Sequence, residues 1–136
     1  MSRAVAAYRW TPLWTRRHHG DQTMSAITTH VLDTARGRPA SGVQVTLDVR
    51  HGDDWRRVGS GETDDDGRVR TLLPSDAILE PGVYRLTFET SPYFAAQQIA
   101  TFYPHVSVVV QIERGHAHYH VPLLISPFGY TTYRGS

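Results

Sequence analysis

The chain has 136 residues, no cysteine and a formal net charge of +1. That length suits one domain with a core of its own, and the missing cysteine excludes disulfides, thiolate metal sites and cysteine nucleophiles. All fourteen basic residues are arginine, which excludes lysine Schiff-base chemistry, and no basic stripe marks a nucleic-acid binder.

Residues 1–24 contain Arg3, Arg9, Arg16 and Arg17 but no apolar signal-peptide core, which argues against secretion. They read as a disordered extension, as a transit peptide, or as residues upstream of a true start at Met24. His18 and His19 beside arginines read as solvated side chains. From Ser25 the pattern turns β. Ile27–Asp33 is a β-branched run, followed by a loop over 34–42 with two glycines and a proline. Val43, Val45, Leu47 and Val49 alternate with polar residues, the mark of a half-buried strand. Trp55–Gly61 forms another strand after a turn at 51–54. Asp64–Arg68 is a tight turn into Val69 and Leu72. Tyr84, Leu86 and Phe88 alternate with Arg85, Thr87 and Glu89. Ser91 followed by Pro92 predicts a capped helix over 92–98. Val106, Val108, Val110 and Ile112 make the next strand. Tyr119, Val121, Leu123 and Ile125 make the one after it, joined through Ser126–Gly129 to a short run at 130–133. No apolar run approaches the roughly 18 residues needed to span a membrane. Residues 25–136 therefore predict an all-β sandwich of seven to eight strands with one short helix.

His116, His118 and His120 are spaced to project from one strand face. Such a trio can ligate zinc or copper, stand as a polar face in solvent, or supply acid–base groups. With Tyr119, Val121, Leu123 and Ile125 in the core, His118 and His120 point outward. A water-excluding pocket on that face needs a second sheet laid over it, most simply from another copy of the chain. His30 alone in its strand reads as a structural histidine. Arg68 after an acidic turn reads as a partner of Asp64, Asp65 or Asp66. That acidic turn lacks the spacing of an EF-hand calcium loop. Residue types and spacing thus yield a histidine-bearing sheet face and an aromatic, cationic terminus, but no reaction.

Thr28-Thr29-His30-Val31-Leu32-Asp33-Thr34, Asp66-Gly67-Arg68, His118-Tyr119-His120-Val121-Pro122-Leu123-Leu124, Ser126-Pro127-Phe128-Gly129-Tyr130 and Tyr133-Arg134-Gly135-Ser136 together resemble the 5-hydroxyisourate hydrolases, the enzyme branch of the transthyretin family. The terminal tetrapeptide is the most specific of these motifs, and the resemblance covers about Ser25 to Ser136. It implies a homotetramer of β-sandwich subunits with active sites in the channel where dimers meet. It implies hydrolysis of 5-hydroxyisourate, the unstable product of urate oxidation, to 5-hydroxy-2-oxo-4-ureido-2,5-dihydro-1H-imidazole-5-carboxylate. Carried over by position, the catalytic set is His30, Arg68, His120 and Ser136, with Tyr133, His30 and Arg68 holding substrate; His118 stands beside the site. The reaction needs no metal or organic cofactor. Charge and hydropathy argue against a nucleic-acid or membrane partner. The lack of a signal peptide and of cysteine suits a bacterial cytoplasm without excluding a peroxisome, whose Ser-Lys-Leu address the last three residues do not match.

These residue types suit the reaction. Arg68 offers a planar fork for carbonyl oxygens and developing negative charge. His30 or His120 can activate water. Tyr133 and Ser136 can orient water or substrate, with a flexible Gly135 letting the tail fold inward. Attack by water is preferred to a Ser136 nucleophile, because no Ser–His–acid pattern is evident. The competing readings are a transthyretin-like carrier of a small ligand and an adhesin-type sandwich without a site.

Overall fold

A computed structural model describes residues 26–114 and 118–135. Alternation, interrupted where outer-face residues such as Thr28 and Asp48 are also buried, builds its two sheets. In β1 (Ile27–Asp33) the side chains of Ile27, Thr29, Val31 and Asp33 are buried, whereas His30 and Leu32 remain partly exposed. The same rule places Val45 and Leu47 of β3 (Gln44–His51) inside, with Tyr84, Leu86 and Phe88 of β6 (Gly82–Phe88). Val106, Val108 and Ile112 of β7 (Val106–Ile112) face the same core. With β4 (Asp54–Glu62), these strands form a four-stranded sheet in the order β4-β3-β6-β7.

The second sheet carries the histidines. Its order is β2-β1-β8-β9, with β5 also paired to β1; β2 is Arg38–Pro39, β5 Arg68–Val69, β8 Tyr119–Ser126 and β9 Gly129–Thr132. The strands β1 and β8 run parallel, in register from Ile27 opposite Tyr119 to Asp33 opposite Ile125. Between the sheets lie Leu47, Leu86, Phe88, Ile112, Leu123 and Ile125, all essentially inaccessible. Each such side chain contributes about 1.5–3 kcal/mol by leaving water.

Three local expectations are corrected. The helix α1 spans Thr90–Ala95 rather than 92–98, and its cap is Glu89 with no side-chain hydrogen bond. Ser91 and Pro92 lie in its first turn, where amide groups lack intrahelical partners and proline is tolerated. Its early end has a cause: Gln98 takes a left-handed conformation (φ 63°), and the Ile99 N–H returns to the Phe94 carbonyl at 3.0 Å. Buried Phe94 anchors the helix. Second, Arg38–Pro39 pairs with β1 at Asp33 and Leu32, inside what reads as a loop. Third, Arg68, read as the last residue of the acidic turn, opens a two-residue strand, Arg68–Val69, and Leu72 beyond it is buried. The extension over residues 1–24 lies outside the described residues. Among those described, no helix is long and apolar enough to cross a membrane.

Candidate active site

The parallel register sets Thr28 beside His120 and His30 beside Pro122. On the other side of β1, Arg68 pairs with His30. Tyr119, Val121, Leu123 and Ile125 are buried, so His118 and His120 project from the opposite face, as alternation predicts. Arg68, His30 and His120 therefore come from three neighbouring strands onto one outer face of the sheet.

Local chemistry aims each of them. The Asp64 carboxylate accepts the backbone N–H groups of Asp66 and Arg68 at 2.9 and 3.0 Å, closing the turn that delivers Arg68. Those bonds, led by the one from Arg68, hold the Asp64 carboxyl below its ordinary range. Gly67 in this turn has φ 77°, and a Cβ there would stand 2.4 Å from the Val31 carbonyl oxygen. No other residue fits. The ion pair made by Asp64 is with Arg70, at 3.2 Å, not with Arg68. Among the described residues the Arg68 guanidinium has neither an ion pair nor a hydrogen bond; the nearby Asp64 carboxylate is spent on the turn and on Arg70.

His30 donates from Nε2 to the Asp66 carbonyl at 2.9 Å. Burial and then the Arg68 cation lower its pKa, against the pull of that carbonyl and of Asp64 and Asp66. His120 places Nδ1 2.9 Å from the Thr28 hydroxyl. Its pKa is lowered by burial first, then by Arg68, His118 and His30, with the Thr28 backbone opposing. His118 places Nε2 3.2 Å from the same hydroxyl and is lowered by burial. Both site histidines are thus biased toward the neutral form that can accept a proton.

The tail closes on this cluster. Thr132 donates its hydroxyl to the Pro122 carbonyl at 2.8 Å, and the Gly135 N–H reaches the His120 carbonyl at 2.8 Å. The Arg134 guanidinium lies 4.8 Å from the Tyr119 ring centroid. The flexible role expected of Gly135 is corrected. Its φ is not in the left-handed region. What it provides is closeness, since a Cβ there would lie 2.6 Å from His120 Cδ2.

Tyr133 is 57 % exposed and shares with His120 a groove of about 340 Å³ between β7 and the tail, also lined by Val108 and Arg134. Neither His30 nor Arg68 lines that groove. One copy of the chain therefore gathers the candidate residues on an open face rather than in one enclosed cavity. Ser136 and His116 lie outside the described residues, and among those described no three His, Asp or Glu side chains converge as a metal set. Thr28, not singled out as a site residue, stands between His118 and His120. Its hydroxyl reaches both rings only because of the parallel register, which spacing along one strand does not reveal.

Comparisons with known proteins follow the same lines. The family model for the HIUase/Transthyretin family matches residues 27–135. A probable 5-hydroxyisourate hydrolase of Caenorhabditis elegans is 49 % identical over 112 residues, 82 % of each chain. The solved structure of Klebsiella pneumoniae 5-hydroxyisourate hydrolase aligns with TM-score 0.72 and 39 % identity, covering 83 % of this chain and all of that one. Sea bream transthyretin in complex with thyroxine aligns with TM-score 0.76 and 32 % identity, covering 81 % of this chain and 94 % of that one. Backbone likeness slightly favours the carrier and identity favours the hydrolases. Identity is the better guide, because a shared sandwich accommodates either activity whereas side chains do the chemistry.

Proposed function

The chain belongs to the HIUase/transthyretin family, and we propose that it hydrolyses 5-hydroxyisourate to 5-hydroxy-2-oxo-4-ureido-2,5-dihydro-1H-imidazole-5-carboxylate. It is a hydrolase of urate degradation. The observation that carries the reaction is Arg68, a guanidinium with no ion pair or hydrogen bond among the described residues, set beside two histidines held toward neutrality.

In this reading water attacks a carbonyl carbon of the six-membered ring. Its proton passes to His120, the new C–O bond forms, and the negative charge on the former carbonyl oxygen is met by Arg68. The ring C–N bond then breaks, the departing nitrogen takes the proton back from His120, and the new carboxyl group ionises. His120 is taken as the base because it shares a groove with Tyr133, which His30 does not line. His30 then holds substrate together with Arg68 and Tyr133, and Ser136 orients water. The flat, carbonyl-rich substrate suits a planar fork of donors.

The domain is residues 25–136, with 1–24 an extension beyond it, and the reaction is cytoplasmic. The open face supports a homotetramer whose dimer–dimer contact encloses each site. A carrier that binds without turnover is the second reading, supported by the transthyretin-like backbone.

The test generates 5-hydroxyisourate in place with urate oxidase and follows its ultraviolet decay. Catalysed decay that is lost in Arg68→Ala, in His120→Ala and on deletion of 133–136 is the expected result. Decay at the spontaneous rate from folded protein overturns it. Light scattering checks the tetramer.

A further inference from the structure

The Thr28 hydroxyl touches two rings at once, Nδ1 of His120 at 2.9 Å and Nε2 of His118 at 3.2 Å. A hydroxyl has one proton to give. If both contacts are hydrogen bonds to neutral rings, it donates to one nitrogen and accepts an N–H from the other. The three groups therefore have two self-consistent arrangements. In one, Thr28 donates to His120 Nδ1, which puts the His120 proton on Nε2 and removes the lone pair needed at that atom. In the other, Thr28 donates to His118 Nε2 and accepts from His120 Nδ1–H, which leaves Nε2 of His120 bare.

Two features favour the second. The Thr28 backbone pulls His120 toward its protonated form, the behaviour of a ring with an N–H on that side. His118, shifted downward by burial alone, remains neutral and can accept. The charged groups around His120 are Arg68 from β5, His30 from β1 and His118 on its own strand. Among the described residues no carboxylate bonds its ring, and the Thr28 hydroxyl stands at Nδ1 where an acid partner commonly does.

We propose that Thr28, oriented by His118, is a positioning residue that fixes His120 in the Nδ1–H tautomer and so keeps Nε2 available to take the proton of the attacking water. The inference rests on the hydrolase reading above for its kinetic consequence, but not for the tautomer itself. When Nε2 is protonated, Thr28 continues to accept from Nδ1–H, so the imidazolium keeps a partner throughout the step. Thr28 is nearly inaccessible in the strand, which holds its hydroxyl in place.

The experiment records nitrogen-15 histidine spectra of the full chain above pH 7, with the His120 signal identified by its loss in His120→Gln. The wild-type ring is expected to carry its proton on Nδ1. Thr28→Val removes the hydroxyl at nearly constant shape. It should release the tautomer preference and lower kcat by roughly tenfold or more, a part of the about 10²–10⁴-fold that acid–base catalysis supplies, while KM changes little. Thr28→Ser should restore both. His118→Phe should weaken the preference through loss of the acceptor. A wild-type His120 protonated on Nε2 overturns the proposal, as does a Thr28→Val protein that keeps tautomer and kcat. Should Thr28→Val not fold, the wild-type spectrum and His118→Phe decide. If the tautomer is as stated but 5-hydroxyisourate is not turned over, the hydrolase reading and the kinetic role of Thr28 fail, and the tautomer assignment alone stands.

Discussion

Replacing Gly135 by alanine probes the contact between tail and site. The added Cβ would lie 2.6 Å from Cδ2 of His120, 3.2 Å from Cγ and 3.3 Å from Cβ. Ordinary carbon–carbon contacts are about 3.5–4.0 Å, so something must move by about 1 Å. Two responses are open. The imidazole can swing away, which breaks the 2.9 Å contact with Thr28, or the tail can lift, which breaks the 2.8 Å bond from the Gly135 N–H to the His120 carbonyl. Either loss costs about 1 kcal/mol, a factor of roughly five in the population of the docked arrangement. A misplacement of about 1 Å at a reacting group can cost up to about 10²-fold in rate. The expected outcome is a fall of about 10- to 100-fold in kcat in the urate-oxidase-coupled assay. The urea midpoint should shift by less than about 1 kcal/mol equivalent, because the contact involves the tail and not the core. Wild-type kcat in Gly135→Ala would refute the reasoning. So would an activity loss that merely follows a large loss of stability.

Gly67→Ala should be worse for folding. The left-handed conformation costs about 1–2 kcal/mol for a residue with a Cβ. The collision with the Val31 carbonyl also endangers the 2.7 Å bond from the Val31 N–H to Gly67, so a loss of about 2–3 kcal/mol is expected by urea unfolding. Stability should also depend on pH through His30, His118 and His120, all held below 6.5 in the fold. Below about pH 6.5 the unfolded chain binds more protons than the native one, so stability must fall as the solution is acidified through that value. Urea midpoints at pH 7.5 and 5.5 test this, and the difference should shrink in His118→Phe. On the far sheet, Asp48 is 5 % exposed and bonds Arg57 at 2.9 Å and Arg85 at 3.1 Å. Asp48→Asn should cost about 2–3 kcal/mol, less than the about 3–5 of a fully buried pair because Arg57 is 60 % exposed, and should leave kcat per folded molecule unchanged.

A β-branched run was enough to place β1 at Ile27–Asp33, alternating valines placed β7 at Val106–Ile112, and period-two patterning said which face of β8 carries the histidines. Such runs are legible because one face of each is buried. Elements decided by tertiary contact were not. The helix begins before Ser91 because buried Phe94 and the turn at Gln98 fix its position, and Arg38–Pro39 is a strand because β1 offers an edge there. For the site, resemblance supplied His30, Arg68, His120 and Tyr133, and the fold brings the first three onto one face. The resemblance did not mark Thr28 as a site residue, and Gly135 was assigned freedom where the structure uses its small size. Both depend on distances across strands far apart in sequence.

The parallel pairing of β1 with β8 has a consequence for synthesis. Thr28 meets its strand partner His120 only after 91 further residues have been made. At about 5–20 residues per second, β1 waits several seconds or longer without the partner that covers its whole length, paired at most to the two-residue strands β2 and β5. The four-stranded sheet, built from hairpins and shorter connections, can assemble first. A nascent chain that stalls before β8 would therefore expose a sticky strand and lack the proposed base, whereas arrival of β8 supplies the long partner strand and His120 together.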